Sequence, residues 1–110
     1  MPSNITNENS IAKRISKELL SMKGVSKLVD AGITESITNT VLRRNTQGIK
    51  LSVENELITA ALHIKVYYGV NIPQLSYDIQ SKIKNLLEEI TDYRVDAINV
   101  YVEGIDKTEE

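Results

Sequence analysis

The 110-residue chain contains no cysteine, tryptophan or phenylalanine, and only one histidine. Without cysteine, disulfides, thiolate catalysis and Cys-based zinc sites are excluded. The one histidine, His63, has no second imidazole or thiolate to share a metal with. Aromatic packing rests on five tyrosines, so the core must be built from Ile, Leu and Val. The five glycines are scattered. They form no GxGxxG or Walker-type loop to cradle a phosphate, and no serine sits in a GxSxG elbow. No charge sign dominates: the net charge is −2, which argues against a strongly basic nucleic-acid binder and against a polybasic membrane surface. No apolar run approaches the roughly 18 residues that span a bilayer, and Met1-Pro2-Ser3-Asn4 lacks the basic-then-apolar pattern of a signal peptide. A soluble chain is expected, with any membrane contact made through a partner.

What is present suits one small domain. The hydrophobic fraction of 41% allows a modest single core. Residues 1–9 are polar and read as a flexible N-terminal tail, residues 10–105 as a single α+β domain, and residues 106–110 as an acidic C-terminal tail. After Ser10, the residues Ile11, Ile15, Leu19 and Met22 recur on one helical face, and Gly24 is suited to follow the helix end. Val25 to Val29 fits a short strand. In residues 31–42, Ile33, Ile37 and Val41 recur every four residues, suggesting a short amphipathic helix with Thr34 as cap. Arg43 to Gly48 reads as a loop.

From Gly48 onward the pattern is sharper. Ile49, Leu51 and Val53 alternate with Lys50, Ser52 and Glu54, a half-buried strand. Asn55-Glu56 is a tight turn. Over Leu57 to Tyr68, Ile58, Ala60, Leu62, Ile64, Val66 and Tyr68 share one face, with Thr59, Ala61, His63, Lys65 and Tyr67 on the other. Asn71 caps the next helix, Pro73 suits its first turn, and Gln74 is spaced as in a capping box. Ile72, Leu75, Ile79, Ile83, Leu86, Leu87 and Ile90 form its apolar stripe, and Thr91-Asp92 ends it. A final strand, Tyr93 to Glu103, puts Ile98, Val100 and Val102 inward, and Val95, Ala97, Asn99 and Tyr101 outward. The expected fold is a small mixed three-stranded sheet with the long helix and the N-terminal helix packed on one face.

No constellation carries chemistry. The acid pairs Glu88-Glu89 and Glu109-Glu110 fall on a helix end and in a tail, where water keeps carboxylates ordinary. The outer sheet face offers His63, Tyr67 and Tyr101, with Arg43, Arg44, Lys50 and Lys65 nearby as a basic patch. Such a face suits protein docking, and the free sheet edge suits pairing with another chain. A single-stranded nucleic acid stacked on the tyrosines is the alternative; the negative net charge weighs against it.

Three segments resemble the alkaline shock protein family of Gram-positive bacteria, also called the glucose-starvation-inducible or envelope stress response family. The first is Gly48-Ile49-Lys50-Leu51-Ser52-Val53-Glu54, leading into a second strand. The next, Val66-Tyr67-Tyr68-Gly69-Val70-Asn71-Ile72-Pro73, looks like the family's central EYGVNIPE signature. The last, Tyr93 through Ile105, is similar to its closing strand. Gly24-Val25 and Gly32-Ile33-Thr34 fit its weaker N-terminal pattern. Tyr67 stands where an acidic residue is usual, Gln74 where Glu is common, and Tyr101 where His is frequent. The resemblance implies a non-enzymatic, cytoplasmic stress-response protein without a cofactor. By that resemblance it would sit at the membrane only through other proteins, a membrane-anchored partner among them, while the open face and edge of the sheet also suit a second copy of the chain.

Overall fold

A computed structural model describes residues 7–30 and 48–107. In chain order these form α1 (Glu8–Leu20), β1 (Val25–Leu28), β2 (Ile49–Glu54), β3 (Leu57–Tyr67), α2 (Ile72–Ile90) and β4 (Arg94–Asp106). The sequence expectations for residues 31–47, including the Ile33-Ile37-Val41 helix and the Arg43-Arg44 loop, lie outside the described residues.

Helix α1 starts earlier than the Ser10 reading suggests. The Asn7 side chain accepts from the amides of Asn9 at 2.8 Å and Ser10 at 3.1 Å, meeting donors that a helix start leaves unpaired. Ile11, Ile15 and Leu19 are then fully buried along one face. The chain leaves through Gly24, whose φ of +103° is cheap only for glycine.

The sheet is mixed, as expected, but has four strands. β3 is central. β2 pairs antiparallel with its first half and β1 antiparallel with its second half, so these two share one edge. β4 runs parallel along the whole of the other edge. The change from β2 to β1 occurs at His63, whose amide donates to Gly48 O and whose carbonyl accepts from Val29 N. Gly48 has a φ of +83°, and a Cβ there would lie 3.0 Å from His63 O. A side chain at Gly48 would be strained by this φ and would press on the junction.

β2 and β3 meet in a two-residue turn with positive φ at both Asn55 (52°) and Glu56 (67°), the backbone that matches the twist of a hairpin. The parallel pairing of β3 and β4 requires a crossover, and α2 supplies it. Asn71 Oδ1 accepts from Gln74 N at 3.0 Å, and Pro73 lies in the first turn, where its missing N–H costs nothing. The Gln74 side chain reaches forward to Asp78, at 2.9 Å, rather than back to the cap. At the other end the Thr91 hydroxyl donates to Leu87 O at 2.7 Å and accepts from Tyr93 N at 3.1 Å, which satisfies a buried hydroxyl.

Both helices lie on one face of the sheet and share one core. It joins Ile11, Ile15 and Leu19 of α1, alternate residues of β3 from Ile58 to Val66, and the α2 stripe from Leu75 to Ile90. Two sequence assignments change. Tyr68 is not on the core face; β3 ends at Tyr67, the chain turns at Gly69, and Tyr68 is 76% exposed. Val95 is not outward, because β4 bulges between Val95 and Ala97, and Val95 sits beside Ile58 and packs on the core. β4 also runs on to Asp106, past the Glu103 end expected.

Candidate interaction face

The second face of the sheet carries neither helix. Its side chains are set by the β3–β4 register, which places Thr59 beside Ala97, Ala61 beside Asn99, His63 beside Tyr101 and Tyr67 beside Asp106. Two of the sequence candidates thus meet. The His63 ring stacks on Tyr101 with centroids 4.8 Å apart and planes inclined by 14°. His63 Nδ1 lies 2.7 Å from Glu103 Oε2, so its N–H donates to that carboxylate. The imidazole is therefore held from two directions, and its side chain is only 17% exposed. Tyr101 remains 46% exposed at the surface of the stack.

A second cluster lies farther along the same face. The pairing slips again between Val102 and Gly104, which brings Glu103 beside His63 and sets Gly104 next to Lys65. The Lys65 stem lies across Gly104, where a Cβ would come within 3.0 Å of Cε. Its ammonium is 3.7 Å from Asp106 Oδ1. The Ser26 hydroxyl, reaching over from β1, donates to Asp106 Oδ2. That hydrogen bond chiefly holds the Asp106 carboxyl below its ordinary value; desolvation opposes it, and the charges of Lys65 and Lys27 add to the lowering. Nearer the turn end, the Thr59 hydroxyl donates to Asp96 Oδ2 at 3.4 Å.

The other candidates separate. Tyr67 is on this face but lies beyond the Lys65–Asp106 pair, against a shallow groove with Lys23, Val70 and Leu75 at the foot of α2. Arg43 and Arg44 lie outside the described residues. Lys65 does not add to a basic patch, because Asp106 accompanies it. Glu88 and Glu89 are exposed on α2, Glu88 beside Lys84 at 3.4 Å. Among the described residues no group of three or more His, Asp or Glu is placed to hold a metal, and no helix is long and apolar enough to cross a membrane. Sequence reasoning missed Glu103, Ser26 and Asp106. A bulge recruits the first, and pairing of β1 and β4 to opposite edges of β3 brings the other two together; neither leaves a periodic signal.

Residues 3–107 match the model of the alkaline shock protein 23 family, described as having a cell envelope-related function. The chain belongs to this family. Curated relatives have similar sequences without assigned roles. An uncharacterized protein of Bacillus subtilis (strain 168), YloU, is 28% identical over 74 residues, covering 66% of this chain and 62% of its own length. The uncharacterized protein Spy1535 of Streptococcus pyogenes serotype M6 is 28% identical over 85 residues, covering 76% and 64%. A second uncharacterized Bacillus subtilis protein, YqhY, is 29% identical over 59 residues, covering 54% and 44%. The match thus spans less than two thirds of each relative's length. No solved structure matches the chain. The matched segment takes in both helices and all four strands of the described residues.

Proposed function

We propose that this chain is a non-enzymatic docking module of the envelope stress response, cytoplasmic, which binds a membrane-anchored protein partner on the outer sheet face. The observation that carries this reading is the arrangement of that face. Among the described residues it has no covering element, yet its side chains are already ordered by the His63–Tyr101 stack and the Glu103 contact. Ordering a surface before binding lowers the entropy lost on association. A partly exposed tyrosine on a face that also carries small residues such as Ala61 and Ala97 suits a protein anchor, since tyrosine gives large contact area for few rotatable bonds. The partner's matching surface would offer an apolar side chain to Tyr101 and a cation near Asp96 and Glu103. Those carboxylates, with Asp106, disfavour a phosphate backbone and so weigh against the nucleic-acid alternative.

The test is fractionation of native cells carrying tagged chain. The wild-type chain is expected to sediment with the envelope and to move to the soluble fraction after His63→Ala or Tyr101→Ala, while Lys84→Ala on α2 leaves it in place. A chain that stays soluble under every stress, or whose distribution ignores Tyr101→Ala, would contradict the reading.

A further inference from the structure

Among the described residues no strand pairs with the outer edge of β4, and that edge reads the same in both directions. His63 directs its amide and carbonyl toward Gly48 and Val29, on the β1 and β2 side. Alternate residues point the opposite way along a strand, so Ile58, Ala60, Leu62, Ile64 and Val66 aim their backbone groups at β4. In a parallel ladder each of these bonds to the two neighbours of its register partner, and the partner's own amide and carbonyl turn outward. The register partners are Val95, Ile98, Val100, Val102 and Ile105. Gln80 confirms the direction for one of them, since its Nε2 donates to Ile98 O at 2.9 Å from the helix side. The five outward residues are symmetric about Val100, because the bulge between Val95 and Ile98 and the bulge between Val102 and Ile105 are equally far from it.

We infer that two copies of this chain join β4 to β4, antiparallel, about a two-fold axis at Val100, so that one sheet continues into the other. In that register every outward residue meets an outward residue. Val100 faces Val100 of the second copy, Ile98 faces Val102, and Val95 faces Ile105. Arg94 faces Asp106 of the second copy, an opposite-charge pair that the symmetry makes twice. Bulges ordinarily blunt an edge; here each bulge meets the bulge of the other strand, whereas a shifted register sets a bulge against a regular stretch. The pairing draws a second strand over Ile105, which is 55% exposed in the single chain. The exposed Gln80 amide occupies the place at Ile98 O that the Val102 amide of the second copy takes. A foreign strand would need neither the palindrome nor the matching charges, which is why a second copy is the occupant. The inference goes beyond docking on the outer face and does not depend on it, although the dimer would set two such faces side by side.

Light scattering on the full chain is expected to give twice the 12.3 kDa chain mass. Val100→Pro removes an outward amide, which edge strands tolerate, along with some packing of the Val100 side chain on the core, and is expected to return the mass to that of one chain. The chain has no native thiol, so Val100→Cys tests the axis directly. Cα atoms about 5.5 Å apart in a hydrogen-bonded pair are within disulfide reach, and this variant is expected to oxidise to a covalent dimer faster than Ser52→Cys on β2. Arg94→Glu is expected to raise the dimer dissociation constant about tenfold, and adding Asp106→Lys to restore it. A monomer at about 0.5 mM chain overturns the inference. So does a dimer that a folded Val100→Pro variant leaves intact, or Val100→Cys crosslinking no faster than Ser52→Cys. If circular dichroism shows Val100→Pro unfolded, the cysteine and charge-pair variants decide.

Discussion

At Asp106, one hydroxyl and two ammonium groups converge on a carboxylate at the end of β4. Its folded-state value lies below the ordinary value of 3.8. The interaction therefore stabilises the fold above that ordinary value and is lost as pH falls through the lowered one. Ser26→Ala removes the main cause, so carbon-detected NMR titration is expected to show the Asp106 carboxyl moving up toward 3.8. The stability gap between Ser26→Ala and wild type should be present at neutral pH and close in acid; a gap that persists at low pH would assign Ser26 a packing role instead. Glu56 is a second residue whose conformation is costly, with a φ of 67° in the β2–β3 turn. Glycine takes this backbone freely, so Glu56→Gly is expected to raise stability by about 0.5–1 kcal/mol in urea melts. No change, or a loss, would mean that the turn is not held in this conformation.

Among the elements, α2 does most to close the core. Leu87 and Ile83 are fully buried in the core that α2 shares with the sheet and α1. Leu87→Ala is expected to cost about 2–5 kcal/mol, and Asn71→Ala, which removes the cap, about 1 kcal/mol. Equal losses for the two would contradict this division between packing and capping. The same helix was the element most legible in the sequence, because its cap, first-turn proline and stripe all agree. β2 was legible for a related reason: Ile49 to Glu54 runs in unbroken register with β3, so strict alternation survives. β4 was only half legible. The slips near Asp96 and Glu103 shift which face a side chain takes; no glycine or proline marks the first, and only Gly104 marks the second. Val95 was misassigned for that reason, and Glu103 was overlooked. His63 and Tyr101 could each be placed outward from alternation, but their stacking needed the parallel register between strands far apart in sequence.

For the whole molecule, the governing feature is asymmetry between the two sheet faces. Two helices bury one face in a single core, and among the described residues no element covers the other. Membership of the envelope-related family gives that bare face a setting, and the ordered His63–Tyr101–Glu103 group gives it a centre. The β4 edge adds a separate route by which copies could present two faces together. The most direct measurement is site-specific photo-crosslinking in native cells, with the reactive residue placed at Ala61 on the outer face or at Lys84 on α2. The account predicts one envelope protein captured at Ala61, lost when Tyr101→Ala is added, and absent at Lys84. Capture of the same protein from both positions, or capture at Ala61 that ignores Tyr101→Ala, would contradict it.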